Sequence, residues 1–213
     1  MSTPLLPPVP PRTVTMAQKS SPNPTITKID DGLYLGDSKS SRRREILEEH
    51  NIIAVVSLSD GKWVQWNQPW YKKIIPDDRH NFIPCRDSMT QDLLPNLAAL
   101  CDFIDSCRGL GSVLVHCDRG VSRSATAMIA YLMRTRRLSL DDAVAFVGGK
   151  RKIKPNDNFK EQLKVWGAVG YNVWADSARG IPKAEYAAYL AKRAVRLQEA
   201  GLTGDEPIGV QSL

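Results

Sequence analysis

Polar and apolar residues alternate from Thr25 to Ile29, Asp31-Gly32 supplies a turn, and Leu33-Tyr34-Leu35 resumes the apolar run. That pattern predicts a β-hairpin. Ser38 to His50 is charged with Ile46 and Leu47 inside it, and reads as a helix. Ile52 to Leu58 is a continuous, mostly β-branched apolar run, the pattern of a strand buried on both faces. The stretch holding Trp63, Trp66 and Trp70 shows no period and reads as a loop. His80 to Cys85 reads as a further strand. From Pro95 to Cys107, Leu97, Leu100, Cys101 and Ile104 recur at helical spacing, with Gly109 and Gly111 as the stop. Val113-Leu114-Val115-His116 is a short buried strand, followed by a helix from about Ser122 to Arg134. Ser139 caps a helix over Leu140 to Val147, and a last one in this region runs from Phe159 to Trp166. Strands alternating with helices predict an α/β fold with a central, largely parallel sheet flanked by helices.

The two ends depart from this rhythm. Seven of the 14 prolines fall in the first 24 residues, amid serine and threonine, so residues 1–24 are expected to be a disordered tail. Residues 25–170 carry the α/β pattern and form the expected main domain. Residues 171–213 are expected to be a C-terminal extension: Pro182 opens a long amphipathic helix and Gly201 ends it. Tyr186, Leu190, Ala194 and Leu197 share one face, which predicts packing onto the domain.

Composition narrows the classes. With 213 residues, 42% hydrophobic and 24% charged, the chain can build a core without disulfides or a structural metal. No apolar run reaches the length of a membrane span. The four cysteines form no C-x-x-C pair, which argues against a zinc site or a disulfide framework and for a reducing compartment, cytoplasm or nucleus. A net charge of +6 favours acidic or phosphorylated partners and is too small to argue for nucleic acid.

The informative segment is His116-Cys117-Asp118-Arg119-Gly120-Val121-Ser122-Arg123-Ser124. A buried strand ends at a cysteine, and an arginine six positions later opens a helix. A loop of this length can turn successive N–H groups toward one centre, and the helix N-terminus adds its positive dipole. Gly120 permits a backbone conformation closed to most residues. Arg123 can grip two phosphate oxygens in a planar fork. Cys117 would lie in that positive field with its thiolate stabilised, beneath a bound phosphate and placed to attack phosphorus.

Cys-x5-Arg followed by serine resembles the signature loop of the protein tyrosine phosphatase superfamily. The string through Ser124-Ala125-Thr126 resembles its dual-specificity branch, and Leu33-Tyr34-Leu35-Gly36 and Lys154-Pro155-Asn156 agree with it. The resemblance covers roughly residues 25 to 168 and implies a protein tyrosine phosphatase-like fold. It implies a cysteine-dependent phosphatase acting on phosphotyrosine and phosphoserine or phosphothreonine through a phosphocysteine intermediate, without metal or cofactor. Cys117 is then the nucleophile. Asp118, Arg119, Gly120, Val121, Ser122 and Arg123 bind the phosphoryl group, and Ser124 hydrogen-bonds the departing thiolate. The general acid belongs on a loop some thirty residues before the cysteine. Asp87 fits that place, and Asp92 is the competitor, placed to cap the following helix.

His116 is expected to shape the loop rather than act as a base. Arg119 departs from the alanine common in protein-directed members, which keeps inositol polyphosphates, pyrophosphates or phosphoinositides as an alternative substrate class. A catalytically silent phosphoprotein-binding module is a weaker alternative, since its sign would be loss of the nucleophile. The expected partners are phosphorylated proteins, with protein kinases among the candidates. Arg134, Arg136, Arg137 and the run Lys150 to Lys154 read as solvated surface, and Cys85 as packing.

Overall fold

The computed structural model describes residues 23–204 and 206, and the backbone of 209–211. The tail expected over residues 1–24 lies, but for Asn23 and Pro24, outside the described residues. Strands β1 (Ile26–Asp30) and β2 (Leu33–Asp37) form the expected antiparallel hairpin. After β2 the chain makes a 3-10 turn, Ser40–Arg42, before α1 (Arg44–Glu49). The single helix expected from Ser38 to His50 is therefore broken. Asp37 Oδ1 accepts from the N–H groups of Lys39 and Ser40, and the Ser40 and Ser41 hydroxyls bond back to the carbonyls of Asp37 and Ser38. Such local side-chain bonds compete with a regular helix.

The long apolar run becomes β3 (Ile52–Ser59). Beyond it the tryptophan-rich stretch is not the expected loop. It holds β4 (Gly61–Trp63), a 3-10 turn at Val64–Asn67, α2 (Pro69–Ile74) and a second 3-10 turn at Asp77–Arg79. These elements are too short for periodicity to reveal. Burial of Trp66, Tyr71 and Ile75 against the sheet holds them in place.

Then follow β5 (His80–Pro84), α3 (Leu94–Arg108), β6 (Ser112–Cys117), α4 (Arg123–Arg136), α5 (Leu140–Gly148) and α6 (Asp157–Ala168). Ser139 caps α5 by accepting from Asp142 N–H at 3.1 Å. After α6 come the short strands β7 (Trp174–Asp176) and β8 (Ile181–Pro182). They lead to α7 (Ala184–Ala200), which Gly201 ends in the left-handed conformation, and to β9 (Gly209–Gln211), paired with β4.

The main sheet has the order β1-β2-β6-β3-β5, parallel except for β1. Alternation along the strands divides the core. Val113, Val115 and Cys117 of β6 face the cluster built with α3, α4 and α6, while Leu114 faces the smaller cluster with Trp66 and Tyr71. Burying each such valine or leucine contributes about 1.5–3 kcal/mol. Parallel register sets Cys117 beside Asp37 and His116 beside Ser57. The carboxyl ends of β2, β6, β3 and β5 thus lie along one edge, the place where open α/β sheets bind ligands.

Candidate active site

The loop between β6 and α4 closes on the Cys117 sulfur. Gly120 has φ +67°, and a Cβ there would lie 2.5 Å from the Gly36 carbonyl oxygen and 2.5 Å from Arg151 Nη2. Only glycine fits both the conformation and the space. Held this way, Gly120 N–H donates to Cys117 Sγ at 3.2 Å, and the Ser124 hydroxyl donates to it at 3.1 Å. Burial raises the pKa of this thiol. The hydrogen bonds from the Ser124 hydroxyl and from the Ser124 and Val121 amides, with the Arg123 charge, outweigh burial and bring it below the ordinary value.

Arg123 opens α4 and is almost fully buried. Its Nη1 donates to the Cys85 carbonyl at 2.9 Å and its Nη2 to Asp118 Oδ2 at 2.6 Å. Its Nε has no hydrogen-bond partner among the described residues. Asp118, which the resemblance places among the phosphate-binding residues, here holds the guanidinium. Arg119 is exposed at the rim. A cleft of about 250 Å³ is lined by Cys117, Asp118, Arg119, Val121, Ser122, Arg123 and Asp87.

The two candidate acids are separated by their surroundings. Asp87 lies just past the end of β5 and shares the cleft with Cys117. Its Oδ1 accepts from the Ser122 hydroxyl at 2.8 Å and from Asn156 Nδ2 at 2.7 Å. Asp92 instead accepts from Leu94 N–H at the start of α3 and from the Tyr186 hydroxyl of α7. Burial raises its pKa, against the lowering hydrogen bonds of Tyr186 and Leu94. Asp92 is thus a joint between helices, and of the two candidates Asp87 is the one that lines the cleft.

His116 is fully buried on the opposite face of β6 from Cys117. Its Nε2 lies 2.6 Å from Ser57 Oγ, which lies 2.8 Å from His80 Nε2, and its Nδ1 lies 3.4 Å from the Cys117 carbonyl. Burial, with repulsion from His80 behind it, pushes the His116 pKa down to about 3, so the ring is neutral.

Cys85, beside Asp87 in sequence, is fully buried, and burial pushes its thiol well above the ordinary range. It packs, as the sequence reading has it.

Two residues of the site escape sequence reasoning. Arg151 belongs to the basic run expected to be solvated surface, yet it braces the loop. Its Nε donates to the Gly120 carbonyl at 2.8 Å and its Nη2 to the Arg119 carbonyl at 3.1 Å. A planar fork can span neighbouring carbonyls, and no local pattern announces that partnership. Asn156 both caps α6, accepting from Phe159 N–H, and holds Asp87. Its position before α6 signals the cap and not the second contact.

Residues 33–168 match the family model of the dual specificity phosphatase catalytic domain. The chain is similar to human dual specificity protein phosphatase 16, at 38% identity over 139 residues, 64% of this chain and 20% of that protein. It is similar to dual specificity protein phosphatase 1-B of Xenopus laevis, at 39% identity over 133 residues, 62% of this chain and 34% of that protein. The chain thus spans about a fifth to a third of these curated relatives. Among solved structures it resembles the Yvh1 phosphatase domain from Chaetomium thermophilum, with TM-score 0.61 and 32% identity, covering 68% of this chain and 97% of that one.

Proposed function

The chain belongs to the dual specificity phosphatase family, and from that premise we propose that it hydrolyses phosphotyrosine and phosphoserine or phosphothreonine in proteins through a phosphocysteine intermediate. In the first step the Cys117 thiolate attacks phosphorus. The Sγ–P bond forms as the P–O bond to the leaving group breaks, and Asp87 gives its proton to the departing oxygen. In the second step a water attacks phosphorus, its proton returns to the Asp87 carboxylate, and the Sγ–P bond breaks to release phosphate and thiolate. Arg123 and the loop amides stabilise the charge on the equatorial oxygens. Ser124 holds the thiolate as it leaves. Asp118 yields its contact with Arg123 to the incoming phosphate.

The observation that carries this reading is one cleft that holds three groups: a thiol with a lowered pKa, a buried arginine at a helix N-terminus, and a carboxyl group fixed by Ser122 and Asn156. A binding module would need none of this acid–nucleophile pairing.

The test compares wild type with Cys117→Ser on p-nitrophenyl phosphate and on doubly phosphorylated peptides. Wild type is expected to release phosphate from both, and the variant to bind phosphopeptide while turning over more than about 10³-fold more slowly. Faster turnover of a soluble inositol polyphosphate than of the peptides would change the substrate class. Peptide binding with no turnover by wild type would refute the enzymatic reading.

A further inference from the structure

The loop carrying Asp87 runs from the end of β5 to the start of α3, and one of its walls is a helix outside the family match. α7 begins at Ala184, beyond residue 168 where that match ends. Tyr186, Tyr189, Arg193 and Arg196 recur at helical spacing along one face of α7. Tyr186 and Tyr189 are buried. A helix that merely covered apolar surface would present aliphatic side chains there. This face presents hydrogen-bonding groups, and they converge on the acid loop and its support.

The contacts are specific. Arg193 Nε donates to the Thr90 carbonyl at 2.6 Å, and the Tyr186 hydroxyl donates to Asp92 Oδ2 at 2.7 Å. The Tyr189 hydroxyl donates to Asn158 Oδ1 at 3.0 Å and accepts from Gln162 Nε2 at 2.8 Å. Arg196 Nη1 donates to the same Asn158 oxygen at 3.1 Å. Asn158 Nδ2 in turn donates to the carbonyls of Ser88 and Gln91, at 3.1 and 2.7 Å, and Gln162 Nε2 donates to Gln91 at 2.7 Å. Asn158 and Gln162 are fully buried, so both amide hydrogens of each are satisfied only while the loop keeps this path.

We propose that α7 is a positioning brace for the acid loop, setting where Asp87 stands relative to Cys117 through Tyr186, Tyr189 and Arg193. The proposal rests on Asp87 being the general acid. Ser122 and Asn156 fix the carboxylate itself, while α7 holds Thr90 and Asp92 directly and supports Ser88 and Gln91 through Asn158 and Gln162. Displacing a catalytic group by an ångström can cost a hundredfold in rate, so a brace at this distance reaches the chemistry without touching substrate.

The test uses the full chain with Tyr186→Phe and Arg193→Gln combined, which cuts two contacts to the loop and leaves the helix. Turnover is measured on phenyl phosphate, a poor leaving group, and on 2,4-dinitrophenyl phosphate, a good one, with Asp87 intact and in the Asp87→Asn background. Amide hydrogen exchange over residues 86–92 is followed in parallel. The expected result is a loss of roughly tenfold on phenyl phosphate and under about twofold on the dinitrophenyl ester, with no further loss when Asp87 is already Asn. Exchange is expected to quicken over residues 86–92 and nowhere in α4. Equal losses on both esters, or a loss that persists in the Asp87→Asn background, would make α7 a source of stability alone. If wild type turns over neither ester, the enzymatic reading fails. Unchanged exchange over residues 86–92 would still overturn the brace on its own.

Discussion

Cys85, Cys101 and Cys117 are all buried, yet burial decides the state of only two of them. Burial pushes the Cys85 thiol far above the ordinary range and the Cys101 thiol up to about 12. Cys117 meets the same penalty, and donors aimed at its sulfur reverse it. The Ser124 hydroxyl is foremost among those donors. Ser124→Ala should therefore move the pH midpoint of Cys117 alkylation by iodoacetamide upward, toward the ordinary thiol range. A hydrogen bond to a charged group is worth about 1.5–3 kcal/mol, so turnover limited by thiolate expulsion should fall roughly ten- to hundredfold. An unmoved midpoint would take the thiolate's stabilisation away from Ser124. The placement of Cys117, Arg123 and Ser124 around one centre was legible in the chain because they lie within one loop and the helix start after it, where sequence spacing is nearly spatial spacing. Arg151 and Asn156 were not. Their partners lie 31 and 69 residues away, and only the fold brings them together.

Between elements, the decisive junction is β6–loop–α4. It was readable because a short β-branched run, a glycine and a helix start follow one another without a gap. Gly120 is where the junction is most constrained. Alanine there would need φ +67°, a conformation costing about 1 kcal/mol, and its Cβ would meet a backbone carbonyl of β2 that has little room to give. The loop would open instead. Gly120→Ala should weaken orthovanadate inhibition by roughly a hundredfold while lowering stability by only about 1–3 kcal/mol. Vanadate affinity equal to wild type would show that the loop tolerates the side chain. The elements that stayed hidden are those whose cause is tertiary. α2 and its flanking turns persist because Trp66 and Tyr71 are buried, and α1 is shortened by side-chain turns around Asp37. The orientation of α7 depends on hydroxyls and guanidinium groups meeting loop carbonyls, which hydrophobic periodicity does not encode.

At the scale of the whole molecule, the sheet separates two cores of different character. Cys117 belongs to the larger, apolar one. Behind it, on the other face, Ser57 bridges His116 and His80, with Trp66 packed edge-on against His80 at 4.6 Å. Burial pushes the pKa of His80 down to about 4 and that of His116 to about 3, against an ordinary 6.5. Both rings are neutral in the fold. As pH falls below 6.5 the unfolded chain binds protons that the folded chain refuses, so the unfolded state gains. Their contribution to stability is complete above pH 6.5 and is lost progressively as pH falls toward the folded values. For the fully buried His116 the loss between pH 7 and pH 5 is about 2 kcal/mol. Carboxylates with lowered pKa, such as Asp30 and Glu161, lose their contribution only at lower pH, whereas Asp92, whose pKa burial raises, opposes the fall, so a histidine variant is needed to separate the histidine share. The urea midpoint of wild type should therefore drop measurably between pH 7 and pH 5. His80→Gln keeps a donor within reach of Ser57 and removes one titrating ring. It should be modestly less stable at pH 7 and should show a shallower fall toward pH 5. Parallel curves for variant and wild type would mean that the paired rings do not link the fold to pH.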